Sequence, residues 1–456
     1  MLIACYELGH QPLAVAWPAA ALEARGFAPA VLDVSVEPLD AEKVKCARLV
    51  AISVPMHTAL RVGVGVAERV RRLNPTCHLA FYGLYATLNA DYLFAHGADS
   101  VIGGEVEAPL VDLAEALAAD RLGPLPGVRR AGETVGPHIA RLTLPTPSRA
   151  ALPSLKTYAR LERDGLQSLV GYVEASRGCR HLCRHCPIPP VYGGRFFVVP
   201  ADTVLADVRQ QVEAGAAHIT FGDPDFLNGP GHAIAVARRL HEEFPAVTWD
   251  FTAKVEHLLR RRDLLPELAG LGALFVVSAV ESLSNVVLEH LDKGHTRADV
   301  DAALAATRAA GLALRPTWVA FTPWTTRADY AAMLDWVDAN ALVDHVDPVQ
   351  YSLRLLVPPG SLLAAHPGML PHLGALIEAD FSYQWRHPDP RMDALQAEVA
   401  GLIAEAAPRA QDAAVTFDRV RALAAQAAGE AAPTPLAPRL SPDRARPPRL
   451  TEPWFC

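Results

Sequence analysis

The sequence contains no apolar run long enough to cross a membrane. Its hydrophobic stretches fall short of the roughly 18 residues that a spanning helix needs, and its first residues lack the basic and long apolar regions of a signal peptide. Among 456 residues there are only seven cysteines, and the formal net charge of −8 leaves no basic excess. These absences argue against a membrane protein, a disulfide-stapled secreted domain and a nucleic-acid-binding surface. We therefore expect a cytoplasmic protein with no membrane or nucleic-acid partner.

Proline is abundant, with 38 residues that concentrate near positions 123–153 and 433–453. Because proline fixes φ and removes an amide donor, these stretches predict an extended linker and a tail. A hydrophobic content of 51% predicts soluble domains with a large core. The predicted regions are an α/β domain at 1–120, a Pro-rich linker at 121–165, a partial barrel at 166–345, a mainly helical substrate-side subdomain at 346–430 and a flexible tail at 431–456.

Three of the seven cysteines lie close together as Cys179-x3-Cys183-x2-Cys186. Three thiolates can bind three irons of a cubane [4Fe–4S] cluster and leave the fourth iron without a protein ligand. An open metal position is typical of a site that performs chemistry. The spacing also permits a zinc knuckle with His181 or His185 as the fourth ligand, or a disulfide. The cluster is the main prediction, with the three cysteines as its metal ligands.

Short β-rich runs alternate with helical patterns over residues 1–120, which predicts a parallel sheet with right-handed crossovers. Ligands bind such sheets beyond the carboxyl ends of the strands. The predicted loops at that edge contain His57 and the run Gly103-Gly104-Glu105-Val106-Glu107. This flavodoxin- or Rossmann-like order, closed by Gly-Gly-Glu-x-Glu before a helix, resembles the cobalamin-binding domain that precedes many radical S-adenosylmethionine (SAM) catalytic domains.

The resemblance implies cobalamin as a cofactor, with the Gly-Gly-Glu residues at the binding edge and His57 facing cobalt. The Asp-x-His-x-x-Gly motif, which supplies a histidine to cobalt in some cobalamin domains, is absent, because Leu8 lies two residues before His10. A corrinoid would therefore be bound without that histidine. The alternatives are a domain that serves packing or partner contact, and a merely solvated His57.

Strands and helices alternate again over 166–345, and six βα units, the last ending in a strand at 345–352, predict a partial (β/α)6 barrel of TIM type. The predicted first strand leads into Ser176-Arg177-Gly178-Cys179. Together with the later cysteines, this run resembles the signature of radical SAM enzymes, although His185 replaces the aromatic residue that most members carry before the third cysteine. Lys293-Gly294-His295-Thr296 is similar to a turn of the cobalamin-linked branch.

The radical SAM resemblance implies a [4Fe–4S] cluster whose open iron is chelated by SAM, and a 5′-deoxyadenosyl radical formed on reduction. Gly222 and Asp223, after the second strand, would contact the SAM amino group, and helix capping is the alternative for Asp223. Glu281 and Ser282 would contact the ribose. Arg315 lies in the predicted fifth strand and needs an anionic partner if it faces the barrel interior, a role that suits the SAM carboxylate.

The chain stops at Thr451-Glu452-Pro453-Trp454-Phe455-Cys456. This ending resembles the start of the tail in CUAEP/CCAEP-tail radical SAM proteins, in which selenocysteine or Cys and then Ala-Glu-Pro follow the first Cys. The resemblance implies a catalytic role for Cys456 and a selenocysteine codon read as a stop, which would make the full protein a selenoprotein. The alternative is an ordinary C-terminus with an incidental thiol.

The leading hypothesis is a radical SAM enzyme that transfers a methyl group through a corrinoid to a substrate that the sequence does not identify. A second hypothesis keeps the cluster and SAM, omits the corrinoid, and transfers another group or modifies a soft atom bound by the tail cysteine. A third is a non-catalytic iron–sulfur protein for electron transfer or sensing. The enzyme would need a small-molecule or peptide substrate and a reductant such as flavodoxin or ferredoxin.

Overall fold

The computed structural model describes residues 1–141 and 143–452. The strands are β1 (Leu2–Ala4), β2 (Val31–Asp33), β3 (Leu49–Ser53), β4 (His78–Tyr82), β5 (Ser100–Ile102), β6 (Val128–Arg129), β7 (Arg160–Arg163), β8 (Leu166–Val173), β9 (Ser176–Gly178), β10 (Phe196–Val198), β11 (His218–Phe221), β12 (Thr248–Thr252), β13 (Ala273–Glu281), β14 (Ala313–Trp318), β15 (Leu373–Ile377), β16 (Ser382–Trp385) and β17 (Arg449–Leu450). The helices are α1 (Leu13–Glu23), α2 (Ala41–Cys46), α3 (His57–Leu73), α4 (Leu84–Leu88), α5 (Ala90–Ala95), α6 (Glu107–Ala118), α7 (Ile188–Tyr192), α8 (Ala201–Glu213), α9 (Pro230–Glu243), α10 (Val255–Arg260), α11 (Leu265–Gly270), α12 (Asn285–Leu291), α13 (Arg297–Ala309), α14 (Arg327–Ala339), α15 (Pro390–Ala406) and α16 (Ala413–Ala428).

The first sheet has the strand order β2-β1-β3-β4-β5-β6, with β1 to β5 parallel and β6 antiparallel to β5. Side chains alternate between its two covered faces. Ile52 and Leu79 pack into one apolar core, whereas Ala51 and Ala80 pack into the core on the other face. Burial on both faces explains why these strands are almost continuously apolar. This is the flavodoxin-like order, whose switch point lies between β1 and β3.

The second sheet has the order β14-β13-β12-β11-β8-β7-β17. Its strands β8, β11, β12, β13 and β14 are parallel, and β7 and β17 form an antiparallel edge. Helices packed against it enclose the largest apolar core. Capping boxes at Thr296–Asp299 and Thr326–Asp329 fix where α13 and α14 begin. The parallel strands therefore form the curled half-barrel that the sequence predicts.

The prediction of a sixth barrel strand at 345–352 is wrong. Pro348–Ser352 forms a 3-10 helix, and a single parallel bridge between Phe321 and Arg354 stands where a strand pair would. Pro348 has no amide hydrogen to donate, and the parallel pairing occurs further along, where the Phe321 amide donates to the Leu353 carbonyl at 3.0 Å and the Leu355 amide donates to the Phe321 carbonyl at 2.8 Å. The half-barrel consequently has five parallel strands.

The C-terminal region combines the helices α15 and α16 with the hairpin β15–β16. The tail that the sequence predicts from 431 contacts the rest of the protein at several points as far as residue 452. Arg444 forms ion pairs with Asp344 at 2.6 Å and Asp412 at 3.0 Å, and β17 pairs with β7. The tail arginine Arg444 thus finds one carboxylate after α14 of the barrel and one at the start of α16. Within the described residues, no helix is both long and apolar enough to span a membrane.

Candidate active site

The cysteine loop leaves the carboxyl end of β8 through the short hairpin β9–β10. Gly178 has φ +75°, and a Cβ there would lie 2.5 Å from the Arg195 carbonyl oxygen, so this position requires glycine. The Cys179 amide donates to the same carbonyl at 3.1 Å. Cys179 and Cys183 are buried and Cys186 is partly buried, and all three are free thiols. The local fold thus collects three thiols in one loop.

Two of the three thiols hold their protons more tightly than an ordinary cysteine does. Burial, reinforced by the neighbouring thiols of Cys183 and Cys179, raises the pKa of Cys186 to about 12. Burial also raises the pKa of Cys179. These thiols are protonated in the metal-free protein, and metal binding would release their protons. The two histidines that could each complete a zinc knuckle are directed at carboxylates, His185 at Glu281 (3.1 Å) and His181 at Asp225 (3.6 Å).

Gly222 and Asp223 lie next to the cysteine loop, after β11. Burial raises the pKa of Asp223 to about 7. Its carboxylate accepts hydrogen bonds from the Ala175 amide at 2.9 Å and the Ser176 hydroxyl at 2.5 Å. A Cβ at Gly222 would lie 2.2 Å from the Tyr172 hydroxyl oxygen. Both residues therefore shape the exit of β8, and the SAM contact predicted for them stays a prediction.

Glu281 and Ser282 end β13, and the Glu281 carboxylate already has partners. Its Oε1 lies 3.2 Å from Lys293 Nζ and 3.1 Å from His185 Nε2. Burial alone would raise the pKa of Glu281, but Lys293 and His185 outweigh it and lower the pKa to about 2. Ser282 Oγ accepts from the Ser284 amide at 3.1 Å. The predicted ribose contact of Glu281 would thus have to compete with an internal ion pair.

Sequence reasoning missed Lys293 as a site residue. It is 3% exposed, and its ammonium group is electrostatically coupled to Cys183 and Cys186 as well as to Glu281. In the sequence, the Lys-Gly-His-Thr turn is distinguished only by its similarity to a turn of the cobalamin-linked branch. A buried carboxylate at a strand end, such as Glu281, requires a cation nearby, and this requirement could have pointed to Lys293.

Arg315 was predicted to need an anionic partner, and Asp347 is one; the SAM contact predicted for it stays a prediction. Its Nη2 lies 3.0 and 3.1 Å from the two carboxylate oxygens, and its Nη1 donates to the Pro448 carbonyl at 3.5 Å. Asp347 reaches Arg315 because the helical turn that begins at Pro348 replaces the predicted sixth strand. The guanidinium is therefore engaged by the protein itself.

A cavity of about 380 Å³ lies where the carboxyl ends of the two parallel sheets face each other. It includes the β1/β3 switch point, the position where flavodoxin-like sheets bind ligands. Gly178 and Arg177 bring the cysteine loop to its wall. The lining from the first sheet comprises Glu7, Leu8, Leu13, Ala14, Trp17, Ser53, Pro55, Met56, Tyr82, Gly83, Leu84, Gly104, Val106 and Glu107, and that from the second comprises Tyr172, Glu174, Arg177, Gly178, Ile188, Tyr192, Gly222 and Pro224.

An ionic network joins the two sheets beside this cavity. Arg177 Nη1 lies 2.7 Å from Glu107 and 3.0 Å from Glu105, and its Nε lies 3.1 Å from Glu174. The Tyr192 hydroxyl donates to Glu105 at 2.9 Å. The Gly-Gly-Glu-x-Glu run of the first sheet is thus tied to the arginine that precedes the first cluster cysteine.

The two glycines of that run make the approach possible. A Cβ at Gly103 would lie 2.0 Å from Thr87 Oγ1, and one at Gly104, where φ is +78°, would lie 2.3 Å from the His138 carbonyl oxygen. Any larger residue would displace the neighbouring backbone or side chain. Close packing therefore requires glycine at both positions, and Glu105, the next residue, lies against Arg177 of the barrel.

His57 is not in the cavity between the sheets. It begins α3, and its Nε2 lies 2.7 Å from the Asp380 carbonyl oxygen, with Phe381 and Tyr85 beside the ring. The turn between β15 and β16 holds the imidazole, so the cobalt-facing role predicted for it has no geometric support. Cys456 lies outside the described residues. Glu452, the last described residue, accepts a hydrogen bond from the Tyr6 hydroxyl at 2.7 Å.

Residues 173–322 match the Radical SAM superfamily profile. This match confirms the predicted enzyme domain of the radical SAM class, for which a [4Fe–4S] cluster and SAM are the implied cofactors. Among curated proteins, the chain is 28% identical over 200 residues to the ribosomal protein uS12 methylthiotransferase RimO of Paracoccus denitrificans, and 29% identical over 191 residues to RimO of Cereibacter sphaeroides. The alignments cover 40% of this chain and 42% and 41% of those proteins, so the chain spans less than half of the relatives it matches.

Two solved structures are similar over more of the chain. One is the radical SAM methyltransferase TsrM from Kitasatospora setae with tryptophan and a SAM analogue bound, with TM-score 0.62 and 19% identity over 75% of this chain and 71% of TsrM. The other is the cobalamin-dependent radical SAM enzyme OxsB with aqua-cobalamin and SAM bound, with TM-score 0.70 and 14% identity over 89% of this chain and 66% of OxsB. At these identities the likeness shows the fold, and it confirms the predicted fold class. The CUAEP/CCAEP-tail resemblance, the domain boundaries and the individual site residues stay predictions.

Proposed function

We propose that this chain is a radical SAM enzyme that transfers a methyl group through a corrinoid held between its two sheets. The observation that carries the proposal is the cavity at which the carboxyl ends of both parallel sheets meet, with the cysteine loop in its wall. TsrM is a methyltransferase and OxsB is cobalamin-dependent, and both have this fold. The match to methylthiotransferases is consistent with group transfer that uses SAM.

In this proposal Cys179, Cys183 and Cys186 bind the cluster as thiolates. When bound, the cluster would supply the electron that splits one SAM into methionine and a 5′-deoxyadenosyl radical, and a corrinoid would carry a methyl group taken from a second SAM, which leaves as S-adenosylhomocysteine. Lys293 places a buried positive charge beside an anionic cluster, which raises the cluster's reduction potential. The substrate is a small molecule or a macromolecule, and a reductant is required.

The cavity partly fits a corrinoid. Its wall on the first sheet is mostly apolar, with Leu8, Met56, Leu84 and Val106, which suits one face of a flat macrocycle. Its described lining contains no histidine, so this wall would offer cobalt no imidazole. The volume of about 380 Å³ is that of a small-ligand pocket, typically about 300–1,000 Å³, so a corrinoid would extend beyond it along the crevice.

Anaerobic reconstitution tests the proposal. The wild-type chain is loaded with iron and sulfide, mixed with hydroxocobalamin and desalted, and its absorbance is recorded before SAM and a reductant are added. We expect cluster absorbance, about one retained corrinoid per chain, and 5′-deoxyadenosine formed on reduction. Met56→Trp, which fills the cavity, should lose the corrinoid and keep the cluster. The neighbouring His57→Gln, which lies outside the cavity, should keep both.

Two outcomes would contradict the proposal in different ways. A cluster that cleaves SAM without corrinoid retention would favour the corrinoid-free enzyme. One observation favours that second candidate: the cavity volume of about 380 Å³ suits a small ligand better than a whole corrinoid. A cluster that never cleaves SAM would favour electron transfer or sensing.

A further inference from the structure

Three segments at the mouth of the half-barrel bring two imidazoles and one carboxylate together. His181 lies in the cysteine loop, Asp225 follows β11, and His257 belongs to α10 after β12. Asp225 Oδ2 lies 2.8 Å from His257 Nδ1 and 3.6 Å from His181 Nε2. One ligand atom from each of the three residues lies within 4.8 Å of the other two.

This cluster is buried, and its nitrogens are poorly satisfied. Asp225 is 0% exposed and His257 is 6% exposed. The Asp225 Oδ1 accepts from the Leu227 amide at 3.0 Å, and Oδ2, which also accepts from the Lys254 amide at 3.3 Å, is directed at the two rings. Neither His257 Nδ1 nor His181 Nε2 makes a well-angled hydrogen bond with any residue of the described chain. Buried polar atoms without partners are uncommon in proteins, and a missing ion is one of the usual reasons for them.

We propose that His181, Asp225 and His257 form a binding site for a divalent transition-metal ion of the zinc type. Two imidazoles and one carboxylate are a donor set that zinc accepts. In a tetrahedral site with metal–ligand distances of about 2.0 Å, ligand atoms are about 3.3 Å apart, and the observed 2.8 and 3.6 Å bracket this value. The imidazoles need only small rotations to complete the site.

The surroundings support a metal at this position. Glu256 Oε2 lies 3.7 Å from the other ring nitrogen of His181, which is the place where metal-bound histidines commonly have a carboxylate that orients the ring. The three protein ligands leave a fourth position for water. Because the ligands come from the cysteine loop and from the ends of two strands, a bound ion would tie the loop to the barrel. None of its three ligands is a cysteine, and the site does not depend on the proposed function.

Zinc binding to the cluster-loaded protein tests the site. The holoprotein is prepared anaerobically, given one equivalent of Zn²⁺ and desalted. Metal analysis should then find about one zinc per chain without loss of iron. The X-ray absorption spectrum at the zinc edge should show nitrogen and oxygen neighbours at about 2.0 Å with imidazole scattering. Asp225→Asn and His257→Gln should each lower zinc retention at least tenfold, whereas the exposed control His96→Gln should not change it.

The X-ray absorption spectrum of the wild-type protein tests the proposed zinc ligands even if a variant fails to fold. Sulfur neighbours at about 2.3 Å would locate the zinc in the cysteine loop and overturn the proposal. The absence of retained zinc in the wild-type holoprotein would also overturn it. So would Asp225→Asn and His257→Gln proteins that keep wild-type zinc content.

Discussion

The carboxyl edges of the two parallel sheets face the same cavity but are built differently. On the barrel side, the charged residues are paired within the protein, as in Glu281 with Lys293 and Arg315 with Asp347. On the first sheet, the wall is mostly apolar, and its main ionic connection is the one to Arg177. The difference teaches that the barrel edge is organised to hold the cysteine loop in place, whereas the first sheet offers a surface for a ligand. Five predictions test this difference between the two edges, in order from the largest expected effect of a substitution to the smallest.

The largest effect should come from removing a thiol at the barrel edge. Cys183→Ala should lower bound iron and 5′-deoxyadenosine formation by more than about 100-fold, since even partners that only orient metal ligands contribute roughly 10–100-fold to affinity. Iron analysis and product chromatography measure this. Cys46→Ala, an exposed cysteine of α2, is the matched control and should behave as wild type. If both variants bound the same amount of iron, Cys183 would not be a cluster ligand, and the role given to the barrel edge would be contradicted.

Arg177→Met removes the connection between the two edges. Glu105 and Glu107 would then be buried without a cation, a change that typically costs about 3–5 kcal/mol in the free energy of unfolding. Anaerobic urea unfolding monitored by fluorescence measures it. Arg180→Met, three residues along and exposed, should change the free energy by less than about 0.5 kcal/mol. Similar values for the two variants would contradict a structural connection through Arg177.

Lys293→Met tests the pairing on the barrel side alone. The variant loses a buried positive charge near Cys183 and Cys186, so the midpoint potential of the cluster should become more negative, and iron retention should fall roughly tenfold. A redox titration followed by electron paramagnetic resonance measures the potential. Lys156→Met, at an exposed position before the barrel, is the control. An unchanged potential would show that Lys293 does not act on the cluster.

Glu7 tests the first sheet through pH. Burial raises the pKa of Glu7 to about 8, compared with about 4.3 for an ordinary glutamate. The folded state therefore binds more protons than the unfolded state between these values, and its stability should fall as the pH rises from about 5 to about 8. Glu7→Gln should remove this part of the pH dependence, with an effect smaller than that of Arg177→Met. The free energy of unfolding is measured at each pH for both proteins. If it depended on pH in the same way in wild type and in Glu7→Gln, the expectation would be contradicted.

His57→Gln should have the smallest effect. The variant weakens one hydrogen bond to the Asp380 carbonyl, which is worth about 1 kcal/mol in the free energy of unfolding. Corrinoid retention should not change, because His57 does not line the cavity between the sheets. If His57→Gln abolished corrinoid retention, the difference between the two edges would have to be reconsidered, since the first sheet would then supply a ligand.

The parts of the fold that depend on local pattern could be predicted, and the pairing of buried charges could not. Alternating apolar runs were enough for both parallel sheets, and the cysteine spacing was enough for the candidate cluster loop. The strand predicted at 345–352 failed because residues 348–352 form a 3-10 turn that begins at Pro348, which has no amide hydrogen to donate to a neighbouring strand. The partner of Arg315 was missed because Asp347 reaches it only through the turn that replaces that strand.

The packed tail has a consequence for how the chain reaches this structure. Strand β17 completes the edge of the second sheet, and Glu452 then bonds to Tyr6, 446 positions earlier in the sequence. Contacts of such long sequence separation slow folding, because a very large loop must close before they form. The first domain can fold while the rest is being synthesised, but its contact with residue 452 forms only after translation has passed that codon. Until then β7 remains an open strand edge on the nascent protein, the kind of edge at which chains associate wrongly.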